Sequence, residues 1–180
     1  MNVNIPIGTY NESPLIGDFI GPPNIKGIIQ DILDINYGDF DEQIIELARM
    51  QFPNIGNNFT VRDDGSIYKV FIDGGYIRLL KRGNNTLYID MIQMPGKGIQ
   101  GVLECITFAV DNGLSLLEGK IQPQKKNSTQ RTKILSEFYS NFGFTILAGE
   151  KIELKLNHEN KHVLVNKLKY YLENGKWFRS

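Results

Sequence analysis

The stretch that decides the fold covers residues 86–121 and reads TLYIDMIQMPGKGIQGVLECITFAVDNGLSLLEGKI. Its first part, Thr86–Gln93, has the two-residue period of a strand, and its last part, Leu114–Ile121, is a short apolar run. Between them the period changes to 3.6 after Gly98, and Gly113 supplies a helix stop. The apolar positions of this helix are Ile99, Val102, Leu103, Ile106 and Val110. A strand–helix–strand passage predicts that the two strands pair in parallel.

Upstream of this passage the sequence predicts an antiparallel meander. Ser66–Ile72 and Tyr76–Lys81 read as strands separated by a turn at Gly74-Gly75. A second turn at residues 82–85 leads into Thr86–Gln93. Loops this short join neighbouring antiparallel strands, so the three strands are expected to lie side by side.

Downstream, a second helix is expected to start at a cap formed by Ser128 or Thr129 and to end at Gly143. Its predicted buried stripe consists of Ile134, Leu135, Phe138 and Phe142. Two further strands are predicted at Phe144–Leu147 and Lys151–Leu156. The predicted fold is therefore α/β, with a mixed, mostly antiparallel central sheet flanked by helices.

The two ends of the chain differ in how clearly they can be interpreted. Prolines and glycines punctuate the first residues, which predicts short extended pieces and turns before helices at Ile25–Leu33 and Asp41–Gln51. Asp39 or Asp41 is expected to cap the second of these helices. The tail, about Lys161–Glu173, is predicted to be an amphipathic helix whose apolar side carries Leu164, Leu168, Tyr171 and Leu172.

The composition limits the kind of partner. The chain has 180 residues, with 20 Lys and Arg against 20 Asp and Glu. This balance disfavours extended nucleic acid and anionic membranes as partners, because those need a surplus of positive charge. A net charge of zero also gives little self-repulsion, which favours self-association, for example as a homodimer. No signal peptide or membrane span is apparent in the sequence, which predicts a cytoplasmic location.

The chain has few of the residues that form zinc sites, with one cysteine and two histidines. Cys105 falls between core positions of the first helix and is expected to be a small buried hydrophobe. His158 and His162 stand four residues apart on one predicted helix face, but no third ligand lies near them in sequence. The sequence therefore predicts no metal site.

The segment Gln93-Met94-Pro95-Gly96-Lys97-Gly98 joins a strand to the N-terminus of a helix. Glycine lets a ligand approach the backbone, and the free N–H groups of a first helical turn attract anions. Lys97 adds a positive charge. One interpretation is a phosphate-binding loop, and the other is a tight connector without a ligand.

The order Gln93-x-x-Gly96-x-Gly98 resembles the Q/R-x-x-G-x-G/A signature of the GNAT superfamily of acyl-CoA N-acyltransferases. The stretch from Phe138 to Phe144, FYSNFGF, is similar to the motif that closes the second helix in that family. The resemblance covers about residues 60–156. It suggests a single acyltransferase-like domain over residues 1–157, with a divergent N-terminal segment over residues 1–59 and a C-terminal helical extension over residues 158–180.

This resemblance implies where acetyl-CoA would bind as co-substrate. The sheet would splay between Thr86–Gln93 and Leu114–Ile121, and the pantetheine arm would pair with the first of these strands like an added strand. The pyrophosphate would lie at the start of the following helix beside Lys97, where Pro95 offers no N–H. The residues implied in co-substrate binding are Met91, Ile92, Gln93, Met94, Gly96, Lys97, Gly98 and Ile99.

The resemblance also implies catalytic residues. Tyr139 matches the tyrosine that protonates the thiolate leaving group, although it is equally consistent with a core aromatic whose hydroxyl is satisfied. Asp90 is the candidate general base, or else a solvated carboxylate that points outward. Glu104 and Glu118 are expected at the surface.

The implied function is transfer of an acetyl group to a primary amine of a small molecule or a protein. The alternative is a binding or interaction module that retains the fold without turnover. The departure at Pro95 and the lack of an assured base favour this alternative. The acceptor is not identified by the sequence, because it would be selected by residues 1–59 and by the insertion at Gln122–Gln130.

Overall fold

The computed structural model describes residues 2–3, 24–122 and 128–177 of the chain. The described residues form five α-helices and eight strands. The helices are α1 (Ile25–Ile35), α2 (Phe40–Gln51), α3 (Gly98–Asp111), α4 (Ser128–Asn141) and α5 (His158–Asn174). The strands are β1 (Asn2–Val3), β2 (Thr60–Val61), β3 (Ser66–Val70), β4 (Tyr76–Arg82), β5 (Thr86–Gln93), β6 (Leu116–Lys120), β7 (Thr145–Ile146) and β8 (Lys151–Lys155).

All eight strands belong to one sheet. Seven of them follow the order β2-β3-β4-β5-β6-β8-β7, and β1 pairs with β5 beside this path. The β5–β6 and β1–β5 pairings are parallel, and the other pairings are antiparallel. The predicted mixed, mostly antiparallel α/β sheet is therefore confirmed, including the parallel pairing on either side of α3.

The observed meander matches the predicted one closely, except that β3 ends two residues early. β3 stops at Val70, because the Phe71 N–H already bonds the Gly75 carbonyl at 2.8 Å and begins the turn. Ile72, which was predicted to lie in the strand, is fully exposed in that turn.

The caps explain where the helices begin. Asp39 caps α2 by accepting a hydrogen bond from the Glu42 N–H at 3.2 Å. Asn157 caps α5 through the Asn160 N–H at 2.8 Å, so this helix begins before the predicted Lys161. Because α4 begins at Ser128, its cap position falls among residues 123–127, outside the described residues.

The tail helix packs on its own chain. α5 lies against α2, where Lys161 Nζ and Asp41 Oδ1 are 2.7 Å apart. Trp177 stacks on Phe142, with ring centroids 4.4 Å apart, and donates a hydrogen bond to the Asn141 carbonyl at 2.9 Å. Phe178 lies outside the described residues. None of the helices described is long and apolar enough to cross a bilayer.

A β-bulge divides β5 into two parts. Opposite β4, Leu79 pairs with Ile89 but Arg78 pairs with Met91, which leaves Asp90 as the extra residue. The buried positions accordingly change phase, from Leu87 and Ile89 to Ile92. A bulge bends and twists its strand. The pairing between β5 and β6 ends at Ile89, one residue before the bulge.

Candidate functional site

The candidate site begins where β5 leaves β6. The two strands pair from Thr86↔Leu116 to Ile89↔Gly119. Beyond that point β1 takes the place of β6, with Asn2 opposite Met91 and Val3 opposite Ile92. β6 therefore leaves this part of the β5 edge uncovered, and the two-residue strand β1 pairs with it instead.

β5 then leads through a tight turn into the N-terminus of α3. The Lys97 N–H donates to the Met94 carbonyl at 2.9 Å, and Gly96 has a φ of +74°, which favours glycine. Lys97 is the N-cap residue and makes no side-chain cap hydrogen bond. The N–H groups of Gly98 and Ile99, in the first turn of α3, have no acceptor within the helix. Because the Lys97 N–H is engaged in the turn, the donors available to an anion start at Gly98.

The Lys97 side chain stands beside this turn. It is half exposed, and its Nζ bonds Asp73 Oδ2 of the β3–β4 turn. Asp73 Oδ1 also accepts from the Gly75 N–H at 3.1 Å. These two hydrogen bonds, chiefly the one from Lys97, lower the pKa of Asp73 below its usual value. The structure therefore places the Lys97 ammonium at the start of α3, where it pairs with the exposed Asp73 carboxylate.

A close contact between α3 and β5 fixes the position of this helix. A Cβ atom at Gly101 would come within 2.8 Å of the Ile92 Cγ2 atom. The glycine therefore lets the first turns of α3 lie directly on the end of β5. This packing places the N-terminus of α3 next to the part of the β5 edge that β6 leaves uncovered.

The predicted co-substrate residues differ in exposure. Gln93, Gly96 and Lys97 are exposed, and Met91 is half-buried. The remaining four are buried: Ile92, Met94, Gly98 and Ile99. A ligand could therefore contact the side chains of Met91, Gln93 and Lys97 and the backbone of Gly96, whereas the second group, buried as whole residues, offers a ligand at most small patches of backbone.

Tyr139 lies in the core, with an exposed fraction of 0%. Its ring packs edge-on against Phe138 and Phe144. This burial matches the interpretation of Tyr139 as a core aromatic, and its hydroxyl has no hydrogen-bond partner among the described residues. Burial raises the pKa of Tyr139 well above its usual value, with a smaller contribution from Cys105.

Asp90 occupies the bulge of β5 and is neither fully solvated nor free. Its Oδ2 atom lies 3.2 Å from Arg78 Nε, in an ion pair without hydrogen-bond geometry. About a quarter of the side chain is exposed. The candidate base is therefore engaged by a cation on the neighbouring strand.

Glu104 is not at the surface, which corrects the prediction, because its exposed fraction is 1%. Its two carboxylate oxygens accept hydrogen bonds from Lys69 Nζ at 2.8 and 2.7 Å. One oxygen also accepts the Gly56 N–H at 2.7 Å, and Lys69 donates to the Asn54 carbonyl at 2.9 Å. Burial raises the pKa of Glu104, and the hydrogen bonds from Lys69 and Gly56 oppose this shift. Glu118, by contrast, is half-buried on β6.

Sequence reasoning missed this pair, although two signals were present. Lys69 has the same strand parity as Ile67, whose side chain faces the core. Glu104 stands in an α3 sequence that is otherwise almost entirely apolar. A charge at a core position on each of two packed elements predicts a buried ion pair.

A cavity of about 640 Å³ adjoins the N-terminal half of α3. Lys97, Gln100 and Glu104 line it from the helix, and Lys69 and Asp73 line it from β3 and the following turn. Each of these lysines faces one of the acids, so the charges within the cavity balance.

The two histidines contact an aromatic side chain, and the cysteine is buried in the core. Phe40 packs against both imidazole rings, with centroids 4.6 Å from His158 and 5.0 Å from His162. Cys105 is fully buried, as predicted, and burial raises the pKa of its thiol well above the usual value. Over the residues that the structure describes, no group of three or more His, Cys, Asp or Glu side chains could hold a metal ion.

Comparison with known proteins found no matching family model, and no curated protein or solved structure matched the chain significantly.

Proposed function

We propose that this protein is an acyl-CoA-dependent N-acyltransferase of the GNAT type that transfers an acetyl group from acetyl-CoA to a primary amine. The observation that carries the proposal is the continuous path formed by the edge of β5 that β6 leaves uncovered, the turn at Gly96 and the N-terminus of α3. An extended arm that ends in a pyrophosphate matches this path in both shape and charge.

The two ends of the path suit the two parts of the co-substrate. The pantetheine arm contains two amide groups, which can hydrogen-bond a strand edge in the manner of a peptide. The edge at Met91 and Ile92 already accepts such pairing from β1. The pyrophosphate would meet the N–H groups of Gly98 and Ile99 at the positive end of the α3 dipole. The Lys97 ammonium would add a contact by leaving Asp73.

Tyr139 supports the chemical step. A buried hydroxyl without a partner costs free energy and calls for an explanation, such as a role toward a ligand. A phenol is protonated at neutral pH, so Tyr139 carries a proton that the thiolate can take, and the proposal requires ligand binding to offset the burial that makes this hydroxyl a weaker acid.

In the proposed reaction, the amine nitrogen forms a bond to the thioester carbon and the carbon–sulfur bond breaks. The departing thiolate takes the Tyr139 proton and leaves as free CoA. The proton lost by the amine passes to Asp90, directly or through water, and returns through solvent to the tyrosinate. Arg78 holds the Asp90 carboxylate in position on the bulge. The products are an amide and CoA, and no redox partner is needed.

Calorimetric titration with acetyl-CoA tests the binding step. We expect a 1:1 complex, and we expect Lys97→Gln to weaken it by about tenfold through loss of one charge-assisted contact. Lys26→Gln is the matched control, because Lys26 is an exposed lysine on α1. The absence of binding for several acyl-CoAs would refute the proposal, and equal effects of the two substitutions would remove the role of Lys97.

Product analysis then separates catalysis from simple binding. Incubation with acetyl-CoA and a panel of amines should release free thiol and add an acetyl group to at least one acceptor, detected by mass spectrometry. Tight acetyl-CoA binding without either product would instead favour the non-catalytic binding module.

A further inference from the structure

We propose that β1 is a built-in competitor for acyl-CoA, which must leave the edge of β5 before the pantetheine arm can bind there. This inference rests on the proposed function and adds a control element to its site. It predicts that the ligand-free protein is mostly closed at this edge and that binding exchanges one extended chain for another.

The pairing register places the competitor. β1 contacts β5 opposite Met91 and Ile92, on the side that β6 has left after Ile89. β4 covers the other side of the same residues. The hydrogen-bonding groups of β5 that face away from β4 are therefore available to one strand at a time, either β1 or a ligand.

The pairing positions of β1 match in number those of the ligand that it would mimic. β1 pairs over two residues, and the pantetheine arm presents two amide groups along an extended chain. Both would add to the edge of β5 as an extra strand does. The structure thus shows this edge accepting an extended backbone at two positions.

β1 is weakly held compared with the rest of the sheet. It forms a two-residue parallel pairing, whereas β5 pairs with β4 over seven positions. Parallel pairing is somewhat less stable per residue than antiparallel pairing. Residues 4–24 connect β1 to α1, so a displaced β1 stays tethered and can return when the ligand leaves.

Competition of this kind lowers the apparent affinity in proportion to the open fraction of molecules. If β1 occupies the edge about nine-tenths of the time, its removal tightens acetyl-CoA binding by about tenfold. The exchange changes the sheet edge only locally, so the fold itself should persist in the open form.

The test compares acetyl-CoA affinity by calorimetry in the full chain, in a variant lacking residues 1–3, and in Asn2→Pro/Val3→Pro. Proline removes the backbone N–H groups that a strand needs, while it keeps the chain length. Val61→Pro is the matched control, because it disrupts β2, a two-residue strand at the far end of the sheet. Hydrogen exchange of the peptide spanning Tyr88 to Pro95 reports the pairing of β5 without any ligand.

We expect both β1 variants to bind acetyl-CoA about tenfold more tightly, the control to match the full chain, and exchange at β5 to rise in the β1 variants until acetyl-CoA is added. Equal affinity in all four proteins would overturn the inference and leave the proposed function standing. Binding in none of them, with exchange still raised by loss of β1, would refute the proposed function instead. Unchanged exchange in the β1 variants would show that β1 does not protect the edge, which also overturns the inference.

Discussion

Two buried polar sites of the molecule differ in whether their polar groups have hydrogen-bond partners. In the Lys69–Glu104 pair, the ammonium bonds both carboxylate oxygens and a backbone carbonyl, and the carboxylate also accepts the Gly56 N–H. The Tyr139 hydroxyl is buried at least as deeply and has no partner among the described residues.

The contrast predicts a structural role for the Lys69–Glu104 pair and a functional role for the Tyr139 hydroxyl. A buried pair whose groups all have partners can join α3, β3 and the segment around Gly56 without any ligand. A buried hydroxyl without a partner destabilises the protein by about 1–3 kcal/mol, so it calls for a compensating use. Glu104 and Lys69 are therefore expected to matter for folding, and Tyr139 for turnover.

The largest expected effect on stability comes from breaking the Lys69–Glu104 pair. Glu104→Leu keeps most of the side-chain volume but removes both carboxylate oxygens, so the Lys69 ammonium and the Gly56 N–H are left buried without that acceptor. We expect a loss of about 3–5 kcal/mol in the free energy of unfolding, measured by urea denaturation.

Two further variants check that buried charge is the cause. Lys69→Met/Glu104→Leu removes both charges and should recover most of the lost stability. Asp41→Asn removes a carboxylate from the more exposed pair with Lys161 and should cost less than about 1 kcal/mol. A double variant as unstable as Glu104→Leu alone would contradict this explanation.

Removing the unpaired Tyr139 hydroxyl should raise the free energy of unfolding, whereas breaking the Lys69–Glu104 pair lowers it. Tyr139→Phe removes only the hydroxyl, so we expect the free energy of unfolding to rise by about 1 kcal/mol. If the hydroxyl protonates the leaving thiolate, acetyl transfer should fall by at least about a hundredfold with little change in acetyl-CoA affinity.

Tyr171→Phe is the matched control for this substitution. Tyr171 is a second buried tyrosine, and burial raises its pKa to about 12. It lies on α5 and packs near Trp177, so its loss should leave turnover unchanged. Equal turnover for Tyr139→Phe and the unmodified protein would remove the proposed role of the Tyr139 hydroxyl.

Most of the fold could be predicted from the sequence because its signals are local. The change from strand to helix period after Gly98, the glycine at position 113 and the short turns of the meander all depend on neighbouring residues. The pairing of β1 with β5 could not be predicted in this way, since it joins residues about ninety positions apart through two residues with no pattern.

The candidate site was predicted less completely for a similar reason. The turn from Gln93 to Gly98 has a recognisable spacing, but the bulge at Asp90 depends on register with β4. Strict alternation along β5 fails at that residue, so the direction of its side chain could not be inferred. The Lys69–Glu104 pair likewise depends on how β3 and α3 meet in three dimensions.

The smallest expected effect is a pH dependence that distinguishes the two buried sites. The folded-state pKa of Glu104 is raised above its usual value of 4.5, mainly by burial. Between 4.5 and that raised pKa, the folded protein holds a proton that the unfolded chain has lost. The contribution of Glu104 to stability is therefore fully present below 4.5 and falls as the pH rises through the raised pKa. Denaturation curves recorded across this range should show this component in the unmodified protein and in Tyr139→Phe, but not in Glu104→Leu. Because the exposed carboxylates are shared by all three proteins, their titration cancels in the comparison, and an identical pH dependence in Glu104→Leu would assign the effect to another group.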